Sequence, residues 1–376
     1  MRRKLLFLAA LICLDVALPL WAAANNQIIE EYYSRGIYPQ LARLLRTLFG
    51  WIPFSLAEVI LVGSLFVTLW VLWRLGREMV SLVSPDDVPG WLFSCLRRGL
   101  TILISIHLAF VLFWGLNYYR LPLADQLGLW LHSAEKEELL ALAKELAVLT
   151  GEERARLVED DEGVAILGAD QRSYLTLSWL SSPVSISPEA FSAEVTPLQI
   201  RAKPVFFSNL MSYTYITGFF FPFTGEANVN MNVPLFELPS TIAHEMAHQL
   251  GIAREDEANF ISWCHSRSEG VSPEVRYSGS LRALVYVLNA AYDVADRDEY
   301  AEIWDCISSG VERDLAASRE FWNRYSGQVQ AVSEQVNDAY LKSNQQVDGV
   351  QSYGRMVDLL LAERSRRLDA HEPPSP

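Results

Sequence analysis

The chain has 376 residues, a formal net charge of −14 and a hydrophobic fraction of 51%. That apolar fraction, with a mean hydropathy of +0.12, predicts membrane segments joined to a soluble domain. Residues 1–118 carry a net charge of +3 and the remainder −17, so nucleic acid is excluded as an expected partner because the acidic part would repel phosphates.

Three apolar runs predict membrane helices, since each is near the roughly 20 residues that cross a bilayer. Their bounds are about 5–24, 53–73 and 100–118. Basic residues before the first run and between the second and third place both of those segments in the cytoplasm. Residues 1–119 are therefore expected to form a multi-pass region in a bacterial cytoplasmic (inner) membrane, with the chain after Tyr119 outside. A cleaved signal peptide ending at Ala22 to Ala24 is the alternative for the first run.

Ionisable residues inside the apolar runs are unusual and predict pairing within the membrane. Asp15 and Glu58 are expected to pair with each other or with a neighbouring helix. His107 is expected to form a hydrogen bond between packed helices. Outside the runs, Cys264 and Cys306 either pair in an oxidising compartment or remain as buried thiols.

Residues 120–367 predict one extracytoplasmic α+β domain that is mainly helical. Helical spacing begins after a cap at Ser133, residues 181–188 indicate a loop, and the alternation in Glu226 to Val233 indicates a strand. The later helices are expected over 240–250, 254–267, 279–294, 298–308, 311–344 (with an interruption allowed) and 350–367. The tail, 368–376, is expected to be disordered.

The stretch Thr241 to Phe260, "TIAHEMAHQLGIAREDEANF", contains a His-Glu-x-x-His motif. Ser240 is a good helix N-cap and Gly251 a good helix stop. His244 and His248 are four residues apart, so both imidazoles project from one helix face and can take adjacent positions on one tetrahedral zinc. Glu245 is then placed beside a zinc-activated water as general base.

A catalytic zinc site needs a third protein ligand and an open fourth position. On the helix after Gly251, Glu255 and Asn259 share a face. We expect Glu255 to be the third ligand and Asn259 to hold Glu255 or a histidine by a hydrogen bond. Glu257 is the alternative ligand, and Asp256 is expected to face solvent or to favour the helix N-terminus.

Weaker candidates surround the motif. His265 is expected to be an ordinary surface or core histidine rather than a ligand. Three tyrosines, Tyr213, Tyr215 and Tyr277, are candidate proton donors to a tetrahedral intermediate, although nothing selects one over ordinary packing.

The strand before the motif suggests a place for an extended substrate. Asn228 and Asn230 would lie at a sheet edge beside the motif helix, where a peptide adds as a further strand. The alternative is a purely structural strand or loop.

The segment "HEMAHQLGIAREDEANF" resembles zincin metallopeptidases, particularly the gluzincin type in which a glutamate on a following helix completes the zinc site. "EDEAN" is similar to the Glu-x-x-Ala-Asp/Asn signature of such families, and the resemblance maps the ligand onto Glu255 and its supporting residue onto Asn259. The spacing departs from the type, because only six residues separate His248 from Glu255. It is closer to the metzincin pattern, which would put a ligand at Arg254, where arginine cannot serve.

Nearly the whole chain also resembles a bacterial membrane-protein family of unknown function. The segments that carry this resemblance are "EEYYSRGIYP", "WGLNYYRLPL", "FPFTGEANVN", the zinc motif and "YLKSNQQVDGVQSYGRMVDLLL". The resemblance implies three membrane helices and an outer zincin domain, and it implies no substrate.

Together these patterns predict a membrane-anchored zinc-dependent metallohydrolase, a peptidase with one Zn²⁺ per chain and a peptide or protein substrate. Its partners are the lipid bilayer and that substrate, and the sequence specifies no oligomeric state. The alternatives are a cell-wall amidase, and a non-catalytic zinc-stabilised membrane sensor or assembly factor. The last would have a closed site, with His265, Glu257 or Cys264 as fourth ligand.

Overall fold

The computed structural model describes residues 2–81, 84–131, 135–168, 201–344, 346 and 355–369. The predicted cap at Ser133, the loop at 181–188, the first residues of the last helix and most of the tail lie outside these ranges.

The described part of the first third of the chain is mainly helical. Its elements are α1 (Arg2–Ala24), α2 (Asn26–Ile28), a π-helix (Ile29–Ile37), α3 (Tyr38–Phe49), α4 (Leu56–Val80) and α5 (Val88–Phe113). By length and composition, α1, α4 and α5 can each cross a membrane, which confirms three apolar helices and indicates association with a lipid bilayer.

The third membrane helix differs from the expected 100–118. It begins at Val88 and ends at Phe113, and Gly115–Tyr119 form a short 3₁₀ helix. Glycine disfavours continuation of an α-helix, and the side chains of Leu116 to Tyr118 are buried against the rest of the chain rather than in lipid.

The C-terminal domain is mainly helical around a small sheet, as predicted. Its helices are α6 (Leu123–Leu127), α7 (Lys136–Arg154), α8 (Ser208–Ser212), α9 (Leu238–Gln249), α10 (Glu255–Ser266), α11 (Pro273–Val294), α12 (Arg297–Asp305), α13 (Ser309–Asn323), α14 (Gln328–Ser343) and α15 (Met356–Asp369). The predicted segment 311–344 is interrupted before Gln328, and α11 starts six residues earlier than expected because Pro273 fits a first helical turn.

The sheet has three strands in the order β1–β3–β2. Strand β1 (Ala202–Pro204) is parallel to β3 (Glu226–Val229), and β2 (Gly218–Phe221) is antiparallel to β3. The expectation that Asn228 and Asn230 lie at a sheet edge is therefore wrong, because β3 is central. Their side-chain amides donate inward, to Glu226 O at 3.1 Å and Ile216 O at 3.2 Å.

Two packed clusters position helix α9. In the main core, α9 lies between the sheet and helices α10 and α11, and all of its residues are buried. In the second cluster, Tyr38 and Trp114 from the membrane region pack with Ala253, which follows α9. Packing therefore continues across residue 119, where the two parts of the chain were expected to separate.

The sheet is fastened to the start of α4. The buried Glu226 carboxylate accepts hydrogen bonds from Ala57 N (2.9 Å) and Leu56 N (3.4 Å) and pairs with buried Lys203. The negative charge of Glu226 thus lies at the N-terminus of α4, where it interacts favourably with the positive end of the helix dipole. We call Glu226, Lys203 and the first turn of α4 the α4 joint.

Two expectations for ionisable groups in the apolar runs have different outcomes. Asp15 pairs with the neighbouring helix α5, where its Oδ1 lies 2.7 Å from His107 Nδ1, so a hydrogen bond between packed helices is confirmed. The Glu58 carboxylate instead accepts from Phe206 N (2.9 Å) and Phe207 N (2.8 Å), outside the apolar runs. Cys264 and Cys306 are separate free thiols.

Candidate metal centre

Helix α9 carries the His-Glu-x-x-His motif and begins earlier than the motif suggests. Its first residue is Leu238 and its N-cap is Glu237, so the prediction of a Ser240 cap is wrong. Pro239 lies in the first turn, where its missing N–H breaks no helical hydrogen bond. Ser240 Oγ donates to Glu237 O at 3.0 Å.

The end of α9 depends on Gly251, as expected. Its φ of +86° is in the left-handed region, Gly251 N donates to His248 O at 3.0 Å, and Ile252 N donates to Ala247 O at 3.2 Å. This is a Schellman motif. A Cβ at Gly251 would lie 2.9 Å from the Tyr38 ring, so the turn requires glycine for space as well as conformation.

The same turn fixes one imidazole. The Ile252 carbonyl accepts a hydrogen bond from His248 Nδ1 at 2.6 Å. Nδ1 therefore carries a proton, and Nε2 faces His244 and Glu255, where loss of its own proton would free the lone pair for a metal. Such a carbonyl contact is the usual way in which a protein orients a metal-binding histidine.

Three side chains bring ligand atoms to one point. His244 Nε2 lies 3.2 Å from His248 Nε2 and 3.0 Å from Glu255 Oε2, and His248 Nε2 lies 3.7 Å from Glu255 Oε1. Two ligands on tetrahedral zinc, each bonded at about 2.0–2.1 Å, are separated by about 3.3 Å. The observed separations lie around this value, so the three residues fit a zinc ion.

Charge within the cluster favours a cation. Burial disfavours a charged His248, but the Glu255 carboxylate raises the pKa of His248 to about 9. Burial likewise disfavours the ionised form of Glu255, yet the two imidazoles hold its pKa far below the usual range. Burial lowers the pKa of His244, which favours the neutral ring that a metal needs. A proton or a metal ion can therefore compensate the Glu255 charge.

Glu245 is buried beside the cluster. Its Oε2 has no hydrogen-bond partner in the part of the chain that the structure describes. Burial raises the pKa of Glu245 to about 8. A Cβ added to Gly218 on β2 would lie 2.5 Å from Glu245 Oε1, so the absence of a side chain at this position makes room for the carboxyl group.

The structure separates the two alternative glutamates. Glu257 Oε1 accepts from Leu123 N at 2.8 Å and from Arg254 Nη1 at 2.9 Å, so it fastens α10 to α6. Only Glu255 joins the two histidines in the group with converging ligand atoms, as far as the described residues extend. Asp256 is expected to face solvent or to favour the helix N-terminus; it lies in the first turn of α10 and is half-buried, and burial raises its pKa to about 7.

Two further candidates lie outside the cluster. His265 is 3% exposed and is a core histidine, as the sequence favoured. Asn259 is fully buried, and its Oδ1 accepts from Arg282 Nη1 at 3.4 Å rather than supporting Glu255 or a histidine. Asn259 points towards α11, whose Arg282 also donates to Thr241 Oγ1 at 2.7 Å.

None of the three tyrosines named from the sequence contacts the cluster. Tyr277 OH donates to Asp314 Oδ2 at 2.5 Å, and Tyr215 OH donates to Trp322 O at 2.8 Å. Tyr213 stacks edge-on against Tyr325, with ring centroids 5.0 Å apart. Each has a structural partner.

Other tyrosines lie near Glu255 and were not identified from the sequence. Tyr118 and Tyr340 share a hydrogen bond of 3.0 Å between their hydroxyl oxygens. Burial and, to a lesser extent, the Glu255 charge raise the pKa of Tyr340 to about 12, and the same two causes raise the pKa of Tyr286. These tyrosines are far from Glu255 in the sequence, so no local pattern predicts that they lie near it.

Membrane-proximal aromatics form another part of the surroundings. The Trp114 ring lies edge-on to His248, with centroids 6.1 Å apart, and 4.5 Å from Phe220 of β2. Tyr38 OH donates to Gln249 O at 3.0 Å. Because α5 ends at Phe113, the candidate centre lies close to the end of an apolar helix that is long enough to cross a membrane.

Arg120 fixes the turn after α9 to the membrane region. Its Nε and Nη2 pair with the two oxygens of buried Glu30 at 2.9 and 2.8 Å, and its Nη1 donates to Gly251 O at 3.0 Å. The segment "WGLNYYR", quoted above for its resemblance, thus contributes both Trp114 and Arg120 to the surroundings of the centre.

Comparison of the chain with curated proteins gave no match, and comparison with solved structures gave none. A protein-family model matches residues 33–361. This range includes α4, α5, the sheet and the whole candidate centre, and it confirms the resemblance to a family of unknown function. The chain belongs to the family described as "Protein of unknown function (DUF3810)".

Proposed function

We propose that this protein is a membrane-anchored zinc-dependent metallohydrolase that cleaves amide bonds in a peptide or protein. The observation that carries the proposal is the convergence of His244, His248 and Glu255, with separations close to those on tetrahedral zinc. The likeness of the motif to zincins supports the same chemistry.

The residues have distinct roles in this mechanism. Zinc, when bound, polarises a carbonyl and lowers the pKa of water. Glu245 in its ionised form accepts a proton from the attacking water at the oxygen that has no partner in the described chain, and its raised pKa favours holding that proton. The water oxygen bonds to the carbonyl carbon, the C–N bond breaks, and Glu245 returns the proton to the leaving amine.

The number of ligands supports catalysis over a purely structural zinc. The alternative of a sensor or assembly factor expects a fourth ligand from His265, Glu257 or Cys264. None of these belongs to the group of converging ligand atoms in the described chain. Three protein ligands and an open position are the usual arrangement of catalytic zinc.

The edge strand supports a peptide as substrate. Asn230 N donates to Thr217 O at 2.9 Å, and hydrogen-bonded pairs alternate along antiparallel strands, so the backbone groups of Gly218 and Phe220 face away from β3. A peptide that adds to this edge lies beside Glu245. Basic residues before α1 and between α4 and α5 favour the cytoplasmic side of the membrane for those segments. We therefore propose that the centre, which follows α5, lies on the extracytoplasmic side.

The test uses the full chain in detergent, with zinc measured by elemental mass spectrometry and hydrolysis by a quenched peptide library. Glu245→Gln should keep one zinc per chain and lower the rate by about 10²–10⁴-fold. Wild-type activity in this variant would show that Glu245 is not the base. Wild type that binds no supplied zinc would sink the proposal, and cleavage of cell-wall amides alone would favour the amidase.

A further inference from the structure

A groove of about 1150 Å³ separates α4 from the segment Arg201–Asn209, on the β1 side of the sheet. One wall is the first part of α4, where Val59, Val62, Gly63 and Phe66 line the groove. The opposite wall belongs to the C-terminal domain and includes Phe206 and Phe207, which are 84% and 48% exposed. We propose that this groove binds one phospholipid, with an acyl chain along α4 and the phosphate at Arg201.

The two walls are held together at one end. The Glu58 carboxylate accepts hydrogen bonds from the backbone N–H groups of Phe206 and Phe207, at 2.9 and 2.8 Å. Both carboxylate oxygens are thereby occupied by the protein, and the segment is fixed to the first turn of α4. The groove is a feature of the fold at a defined height on a membrane helix.

The position of the groove along α4 indicates which kind of molecule can bind in it. Phe66 lies ten residues after Leu56, the first residue of α4, which is about 15 Å along the helix. This is half of the roughly 30 Å hydrocarbon thickness, so the groove spans about one leaflet. A peptide there would leave backbone N–H and C=O groups without partners, whereas an acyl chain carries none.

Charge identifies the head of the lipid. Glu58 and Arg201 are the charged residues that line the groove. Arg201 is exposed and makes no ion pair within the described ranges, while Glu58 is engaged as above. A guanidinium matches the geometry of phosphate oxygens and forms strong, charge-assisted hydrogen bonds with them. The apolar walls and this cation together match a phospholipid.

Glycines on α4 provide a matched pair of variants. A Cβ added at Gly63 or at Gly76 meets no atom within 4 Å, so both helix positions accept a larger side chain without a clash. Gly63 lines the groove and Gly76 does not. Gly63→Leu should narrow the groove along α4, where the acyl chain is proposed to lie, and Gly76→Leu controls for the same substitution on the same helix.

The experiment reconstitutes the full chain in lipid nanodiscs that contain a trace of phospholipid with a photoreactive diazirine in its acyl chain. After irradiation, labelling is quantified on the peptide that contains Phe206 and Phe207. Wild type and Gly76→Leu should be labelled alike, and Gly63→Leu should be labelled at least about fivefold less. Equal labelling of the two glycine variants, or none on this peptide, would overturn the proposal.

A second arm tests the phosphate. Arg201→Gln should lose labelling several-fold while Arg201→Lys retains most of it, and diacylglycerol with the same photoreactive chain should label poorly. Equal labelling by diacylglycerol would contradict the proposed contact between Arg201 and a lipid phosphate. Native mass spectrometry of the released protein should show a retained phospholipid, and a retained peptide or second copy would contradict it. No metal is involved, so the outcome is independent of the hydrolase proposal.

Discussion

The candidate metal centre (called the metal centre below) and the α4 joint both bury carboxylates, but their hydrogen bonding differs. In the joint, each oxygen of Glu226 has donors, among them Ala57 N and buried Lys203. In the metal centre, Glu245 Oε2 and His244 Nδ1 have no partner in the described chain. A buried polar atom without a partner costs free energy, so the complete network indicates a structural role, and the open atoms of the centre support the proposed ligand site together with its converging ligand atoms.

The largest expected effect separates two neighbouring glutamates by their contacts, because only Glu255 contacts the two imidazoles. Glu255→Ala removes a carboxylate that contacts both imidazoles, and we expect zinc affinity to fall by more than about 100-fold, beyond the loss typical of residues that only support a ligand. Glu257→Ala is the matched variant, because that carboxylate binds Leu123 N and Arg254 instead.

Zinc content of the purified variants measures this difference. Glu257→Ala should retain one zinc per chain and show a lower unfolding temperature, while Glu255→Ala should lose the metal. The reverse pattern would show that Glu257 is the ligand and would contradict the roles assigned to the two glutamates.

The next effect concerns the α4 joint. Glu226→Gln leaves the Lys203 ammonium buried without its anion, and breaking a buried ion pair in this way costs about 3–5 kcal/mol in unfolding free energy. Denaturation in a fixed detergent measures it. Glu137→Gln, at an exposed position on α7, is the control and should change stability by less than about 0.5 kcal/mol. A stable Glu226→Gln protein with altered zinc content would contradict a purely structural joint.

The sequence predicted the local part of the centre well. Helical periodicity and turn chemistry over a dozen residues are enough to predict that His244 and His248 share a helix face, that the helix stops at Gly251 and that Glu255 follows it. The same reasoning placed three apolar helices.

The sequence did not predict what encloses the centre. Tyr38 contacts Gln249 across 211 positions, and β1 pairs with β3 in parallel, so neither contact leaves a periodic signal. The edge position assigned to Asn228 was wrong for this reason: a strand's place in a sheet depends on distant partners.

A smaller effect tests the position of the proposed base. In Gly218→Ala the new methyl group would meet the Glu245 carboxyl group, the flexible end of a side chain, so the carboxyl group should move and the fold should survive. Displacement by about 1 Å can lower a rate about 100-fold. Hydrolysis should fall to that extent with zinc retained. Gly99→Ala, where a Cβ meets nothing within 4 Å, is the control, and equal rates would contradict the role of β2.

The dependence of stability on acidic pH tests the role of His265 as a core histidine outside the metal centre. Burial lowers the pKa of His265 to about 4, below the 6.5 expected when unfolded, so the unfolded chain binds more protons between these values. Stability contributed by neutral His265 is present above pH 6.5 and is lost as the pH falls towards 4, by about 2 kcal/mol at pH 5. His265→Gln should flatten this dependence relative to wild type, measured with zinc removed by chelator. Parallel curves would contradict it.

The smallest effect lies inside the membrane. Asp15 and His107 join α1 to α5 at 2.7 Å, yet polar contacts between membrane helices are worth only about 0.6 kcal/mol on average and about 1.7 at most. Asp15→Asn should therefore destabilise the protein by an amount in this range. A double-mutant cycle with His107→Phe isolates the pair, because the double variant should lose little more than either single one. If α1 were removed as a signal peptide, the intact mass would lack every residue up to the cleavage site at Ala22 to Ala24, and the cycle would show no coupling. Retained mass with measurable coupling would make Asp15 a third kind of carboxylate, half-buried within the protein and paired with one neighbour, whose contact contributes little to stability.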